Sequence, residues 1–474
     1  MRCSRSLGVA GDCHPLTLTS WSQRFVLKQK SYNQQFSHIY VSRLQLLRDA
    51  VARRIEEEAP GSRVLSKIID VKEGDVDIII VGTLLKELSA KPDVFEALTS
   101  EAGLTPIEQT QPQLASEDDQ LLLEDESGRV ELVGDIPIAQ MSTGVVLGVH
   151  GRMNAGKGGF YVESVFLPEL PPQHALPERE ESEYVALVSG LAIGADTQTD
   201  TGSGLLRNHL LVDYLAGRLG DAEEKQFVSR IVRTVIVGNS VNRSEAQEQV
   251  GAPSSSSTSK KKTSEQLEYE TTPLKNADEL LSSLASAMAV DLMPGATDPS
   301  NYALPQQSFH PCLFPCSSRF ASFRSVTNPY EAQIGGVHFF GHSGQPLRSL
   351  LQCTLPEKRA VDGTDGEDDA MDGGESQSGD HALDCLQRCL EWRHAAPTAP
   401  DLLACFPVAN EDPFILETSP HVFFAGNQKQ FSSRLVDGGK GQHVRVITVP
   451  SFAETATIVL VDLKDLSCFP ITIA

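Results

Sequence analysis

The sequence predicts a mixed chain in which a long helix precedes a small antiparallel barrel and a layered α/β domain. Three observations carry that prediction. Apolar residues recur at helical spacing between Tyr32 and Glu58. About five short strands separated by Gly/Asp turns then follow over roughly a hundred residues. Past Glu183 the strands become wholly apolar, end in glycine turns and alternate with helical stretches.

The helix, assigned to residues 32–60, places Phe36, Ile39, Tyr40, Leu44, Leu47, Val51 and Ile55 on one face, and Pro60-Gly61 ends it. The barrel occupies residues 61–178. Its strands are read in "VDIIIVGTLLKEL", "LLLEDESGRVELVG", "GVVLGV" and "GGFYVESVFLPEL", and it closes at the proline-rich stretch Pro168 to Pro177. Short strands in this number and spacing predict a Greek-key barrel of the OB type. Residues 179–474 form the layered domain, whose strands are "YVALVSGL", "RTVIVGN" and "HVFFAGN". In such folds functional groups gather outside the carboxyl ends of the strands. Two insertions near 244–272 and 355–382 are expected to be disordered. The first contains "GAPSSSSTSKKKTS", and the second contains the acidic run Asp362 to Asp380. Residues 1–31 read as a disordered leader, because they contain neither an apolar signal core nor an Arg-rich amphipathic helix.

With 474 residues the chain is long enough for two or three domains. The net charge of −23 argues against a broad, sequence-independent grip on a phosphate backbone. No apolar run approaches the ~20 residues of a membrane span. The odd count of nine cysteines fits reduced thiols better than a disulfide framework. Two pairs, Cys312/Cys316 and Cys385/Cys389, share C-x-x-x-C spacing, which is looser than a zinc knuckle. The second pair falls in the amphipathic stretch "ALDCLQRCLEWRH" and is expected to be buried.

The turns after the apolar strands have the layout of a binuclear metallophosphoesterase without its ligands. Such a site needs carboxylate and imidazole donors at strand ends. In "ALVSGLAIG" the D-x-H-x-G turn keeps Gly194 but carries Gly190 for Asp and Ala192 for His. In "RTVIVGNSVN" Asn239 replaces the bridging Asp, and an amide brings no charge to offset two dications. The G-N-H-D turn retains Gly295 and Asp298 but has Ala296 and Thr297 between them. The final G-H-x-H turn reads Gly426-Asn427-Gln428-Lys429, and Lys429 is expected to bring a positive charge toward the former metal position.

Other motifs give way to simpler readings. "GRMNAGKG" (Gly151 to Gly158) spaces its glycines and Lys157 like a P-loop, but Gly158 replaces the hydroxyl residue and a strand follows, so a hairpin turn is expected. His310, His338, His342 and His394 are read as hydrogen-bonded structural groups. Ser343 beside His342 makes no dyad, since neighbours in an extended segment face opposite ways. Asp12-Cys13-His14 lacks a preceding strand, and Lys260 to Lys262 is too short for an import signal. No catalytic, cofactor-binding or metal-ligating residue is assigned.

Long blocks of the chain resemble the B-subunit family of the replicative DNA polymerases alpha, delta and epsilon. They include "QQFSHIYVSRL", "LVSGLAIG", "VDLMPGATDPSNYALPQQSFHPCLFP", "VTNPYEAQIGGVHFFGHSGQ" and "PHVFFAGNQKQF". The resemblance runs from about Gln34 to Ala474 apart from the two insertions, and "HPCLFP" and "RHAAPTAPD" are closest to delta members. It implies an OB domain packed on an inactivated calcineurin-like metallophosphoesterase domain, a layered β-sandwich flanked by helices. It further implies a nuclear, non-catalytic scaffold without cofactors that serves DNA replication and repair synthesis. Its partners would be the DNA polymerase delta catalytic subunit's cysteine-rich C-terminal domain and a further accessory subunit, with the sliding clamp reached indirectly. Two alternatives stand beside it: an active metal-dependent phosphodiesterase or 3′-exonuclease, which needs the missing ligands, and an OB-type single-stranded DNA-binding protein. The latter needs basic and stacking aromatic residues that "LLLEDESGRVEL" does not supply, so direct DNA contact is expected to be weak.

Overall fold

The computed structural model describes residues 17–28, 33–91, 113–154, 158–194, 203–242, 264–357, 373–408 and 411–473. The first described segment corrects the expectation of a disordered leader. Strand β1 (Leu18–Ser20) is followed by a 3-10 turn, Ser22–Phe25. β1 pairs antiparallel with a strand more than 300 residues later (Leu18 with Ile334), and Phe25 is fully buried. Asp12-Cys13-His14 lies outside the described residues.

The N-terminal helix spans Ser37–Glu58 and ends just before Pro60. Its face of Leu44, Leu47, Val51 and Ile55 packs on Ile79, Val81, Val146 and Phe166 of the barrel, while Ile39 reaches Leu304, Ala396, Ala399 and Phe414. The barrel consists of β2 (Arg63–Val64), β3 (Ile78–Glu87), β4 (Gln120–Glu124), β5 (Arg129–Gly134), β6 (Val146–Met153) and β7 (Phe160–Phe166). The order β2-β3-β4-β5-β7-β6 closes on itself because β6 also pairs antiparallel with β3, from Ile78↔Gly151 to Thr83↔Val146. Among the described residues, closure leaves only β2 as a free edge. The near-P-loop takes in the end of β6 (Gly151 to Met153) and the turn to the antiparallel β7, with residues 155–157 outside the described set.

Two six-stranded sheets stack beyond the barrel. One runs β11-β10-β9-β8-β17-β18, built from β8 (Tyr184–Val188), β9 (Ile231–Val237), β10 (Ala289–Met293), β11 (Phe323–Ser325), β17 (Thr457–Asp462) and β18 (Cys468–Thr472). The other runs β1-β12-β13-β14-β16-β15, adding β12 (Tyr330–Ile334), β13 (Val337–His342), β14 (Val422–Gln428), β15 (Ser432–Asp437) and β16 (His443–Pro450).

Alternation along the strands assigns each face. Val185, Leu187, Val235 and Val237 of the first sheet meet Phe339, Phe424 and Ile447 of the second in the sandwich core. Ala186, Val188 and Ile236 point the other way, onto the helices Ser203–Leu215 and Ser264–Ala285. Phe340, Phe423 and Val446 face the helices Gln345–Cys353 and Gly373–Glu391, in a core continuous with the barrel interior. Burial on both faces explains the unbroken apolar runs in the sequence.

Both expected insertions contain structure at their ends. The helices beginning at Ser264 and Gly373 start inside the stretches 244–272 and 355–382, which corrects the expectation of disorder there. Leu383, Cys385, Leu386, Cys389 and Leu390 anchor the second helix, and hydrogen bonding propagates from that anchor into polar sequence. Residues 243–263 and 358–372, with Lys260 to Lys262 among them, lie outside the described set. Cys385 and Cys389 are buried, whereas Cys312 is exposed. No helix of the described residues is long and apolar enough to cross a membrane.

Candidate functional site

The glycine turns singled out in the sequence come together at the carboxyl ends of β8, β9, β10 and β14. The Gly190 N–H donates to the Gly238 carbonyl at 3.0 Å, and the Ala192 N–H donates to the Asn239 carbonyl at 3.0 Å. Asn427 sits at an irregularity in the β14–β16 register with φ of 55°, and its side-chain amide donates to the carbonyls of Ser343 (2.7 Å) and Val237 (3.2 Å). The Ser189 hydroxyl accepts from the Asn427 N–H at 3.0 Å. The Thr297 N–H after β10 bonds the Asn239 side chain, so the four turns form one cluster.

Neutral groups fill the place where a cation's ligands would stand. Gly190 has φ of 66°, and a Cβ there would lie 2.6 Å from Ser451 Oγ and 2.8 Å from Asn427 Oδ1. A Cβ on Gly295 would lie 2.3 Å from Asn239 Oδ1. The Asn239 carboxamide oxygen accepts from the Thr297 N–H at 3.3 Å, and the Thr297 hydroxyl donates to the Val241 carbonyl at 2.9 Å. A second amide set adjoins it. Asn328 Nδ2 donates to Gln306 Oε1 at 2.8 Å and Ser343 Oγ at 2.9 Å, and Gln306 Nε2 donates to the Gly295 carbonyl at 3.0 Å.

Asp298 is the one carboxylate retained from the predicted elements, and it is already engaged. Its two oxygens accept from the N–H groups of Val241 and Gly295, both at 2.8 Å. Desolvation dominates its ionisation and pushes its pKa up to about 6 despite those bonds. Gln428 turns back onto the Gly426 carbonyl at 2.7 Å, and Lys429 is exposed at the surface. Among the described residues no three His, Cys, Asp or Glu side chains converge as a cation site requires. A donor set of glycine, alanine, threonine and carboxamides does not fit a pair of dications.

The histidines have other roles. His342 is wholly buried, its Nδ1 accepts from the Gly344 N–H at 3.1 Å, and burial drives its pKa down to about 3. Ser343 instead bonds Asn328 and Gln345, so the neighbours share no proton path. His338 bonds Glu331 at 3.1 Å under the Trp21 ring, and His310 caps the Cys312 N–H. His394 donates from Nε2 to Asp412 Oδ2 at 2.9 Å, the tautomer fixed by Nδ1 accepting from the Ala396 N–H.

Sequence reasoning missed the buried ion pairs. Arg43, fully buried on the N-terminal helix, bonds Asp412 Oδ2 at 2.7 Å and the carbonyls of Gly144, Pro397 and Ala399. Asp291 is held by Arg233 at 2.8 Å and by the Tyr330 hydroxyl at 2.8 Å between the two sheets. On the barrel, Phe160 and Phe166 are buried, and Tyr161 lies under the Arg152 guanidinium. Arg152, Arg129 and Arg63 pair with Glu163, Glu124 and Asp75. Each of these three arginines thus faces a carboxylate on the barrel surface.

The structure joins an OB-type barrel to a two-sheet domain, and among the described residues the strand-end turns bring no three His, Cys, Asp or Glu side chains together. Residues 35–165 match the family model for the DNA polymerase delta subunit OB-fold domain, and residues 185–433 match that for the B subunit of DNA polymerases alpha and epsilon. The chain is 39% identical over 458 residues to a DNA polymerase delta small subunit from Arabidopsis thaliana, covering 95% of this chain and 93% of that protein. It is 33% identical to DNA polymerase delta subunit 2 of Drosophila melanogaster, with 94% and 95% covered. Identity to the DNA polymerase delta small subunit of Saccharomyces cerevisiae is 32%, with 93% and 89% covered. The chain belongs to the family of DNA polymerase delta small subunits, accessory subunits in DNA replication.

Proposed function

We propose that this chain is a non-catalytic scaffold that bridges the C-terminal domain of the delta catalytic subunit to a further accessory subunit, through which the complex reaches the sliding clamp. Its working place on this reading is the nucleus. The two-sheet part, residues 179–474, is read as a calcineurin-like phosphoesterase domain that has lost its chemistry, beside an OB domain over 61–178 and the helix over 32–60. One observation carries the reading: the four converging turns are filled by mutually bonded carboxamides and hydroxyls, and Asp298 is committed to two backbone donors. A fold kept without its ligands is kept for its surface.

The test is co-expression with the catalytic subunit's C-terminal domain, followed by size exclusion at moderate salt. A stoichiometric complex is the expected result, and separate elution overturns the bridging role. A second arm incubates the lone chain with manganese and a phosphodiester substrate. Turnover above that of the buffer would restore the phosphodiesterase reading.

A further inference from the structure

A cavity of about 640 Å³ opens where the N-terminal helix, the connector after the barrel and the turn between β15 and β16 meet. Arg53, Glu57, Glu169, Arg393, Lys440 and His443 are among its lining. It shares no residue with the converging turns described above.

The charges around this cavity are unevenly matched. Glu169 gives one oxygen to Arg54 at 2.9 Å and the other to Lys440 at 2.7 Å, and Lys440 also bonds Glu57 at 3.0 Å. Glu57 and Glu169 are thereby occupied. Arg393 follows the helix Gly373–Glu391 in a left-handed conformation, φ 54°. Its backbone is pinned on both sides, with its N–H donating to Leu390 and its carbonyl accepting from Leu416. Its Nε is buried with no partner among the described residues. Desolvation and the neighbouring Arg53 charge weaken its hold on its proton, and the charges of Glu169 and Glu417 offset them only in part. Among the described residues Arg53 bonds the Asp49 carbonyl, one turn back along its own helix.

A buried guanidinium N–H without an acceptor is costly, and a second guanidinium nearby raises that cost. A bound anion removes both penalties. A group with three acceptor oxygens can serve two guanidinium forks at once, which a single carboxylate does less well. We propose that this cavity binds a phosphate-bearing ligand, held between Arg53 and Arg393. The ligand is free inorganic phosphate or a phosphomonoester carried on a side chain, which share that chemistry.

The test is calorimetric titration of the full chain with inorganic phosphate, O-phosphoserine and acetate at constant ionic strength. Saturable binding of phosphate or phosphoserine is expected, with acetate at least about tenfold weaker. Stronger binding of phosphoserine points to a modified side chain, and stronger binding of phosphate to a free anion. Arg393→Gln should weaken binding by about tenfold or more. Arg53→Gln, on an exposed helix face, should weaken it in the same direction and decides alone if the first variant does not fold. No saturable binding, or unchanged affinity in both variants, overturns the proposal.

Discussion

Arg43 and Asp412 meet at 2.7 Å with neither side chain exposed to solvent. The pair ties the N-terminal helix to the two-sheet domain, and Arg43 also reaches the barrel through the Gly144 carbonyl at 3.1 Å. Burial alone would raise the Asp412 pKa, but the Arg43 charge and His394 hold it well below the usual carboxylate range. One guanidinium thus joins three parts of the fold.

Removing one partner of such a pair strands a buried charge. Arg43→Met is expected to lower unfolding stability by about 3–5 kcal/mol. Adding Asp412→Asn should recover part of the loss, because the stranded charge disappears. Urea unfolding of the two variants checks this, and a loss below about 1 kcal/mol in the single variant would contradict it.

Two buried groups oppose each other in their response to pH. Burial lowers His394 from 6.5 to about 4, so its contribution is complete above pH 6.5 and is lost as pH falls toward 4. Desolvation raises Asp298 from 3.8 to about 6, so its contribution is largest below pH 3.8 and is lost as pH rises toward 6. Each is worth about 3 kcal/mol, of opposite sign, over nearly the same window. Unfolding free energies measured at intervals from pH 4 to 7 should therefore show little slope from this pair. His394→Gln should expose stability that falls with rising pH, and Asp298→Asn stability that rises.

Restoring a ligand should not restore a metal site. In Gly190→Asp the new Cβ meets Ser451 and Asn427 inside contact distance, at a backbone angle unfavourable to side chains. A loss of about 2 kcal/mol or more is expected. Manganese should give no rise in melting temperature, even with Ala192→His added. A metal-dependent rise would show the turns to be a working cation site.

Tyr330→Phe deletes the hydroxyl that donates to Asp291 but leaves the Arg233 pair intact. The expected cost is about 1–3 kcal/mol, read by thermal unfolding.

The strands were legible because burial on two faces writes itself as unbroken apolar sequence, as in Val185 to Val188. The converging turns were legible because their glycines follow such strands. Leu18 to Phe25 was not, since its structure comes from pairing with β12 and its composition is that of a loop. The start of the helix at Gly373 was hidden for a related reason: its anchor lies at Leu383 and beyond, after the polar run. Arg43 was hidden because a local pattern assigns it to a polar helix face, while its partner lies 369 residues away. The filling of the site by Asn328, Gln306 and Ser343 was equally invisible, since no motif names a carboxamide that bonds other neutral groups.

The strand Leu18–Ser20 also sets a schedule. Ser22 bonds Glu331 across 309 residues of chain, so this strand is made well before its partner and cannot pair until the sandwich emerges. At ordinary rates of synthesis that wait is roughly 15 to 60 seconds. Throughout it the barrel can close on its own strands, while the segment ahead of it stays unpaired and open to proteases and to other chains. The delay sits on the amino-terminal side of the barrel, where a tag or a truncation is readily placed.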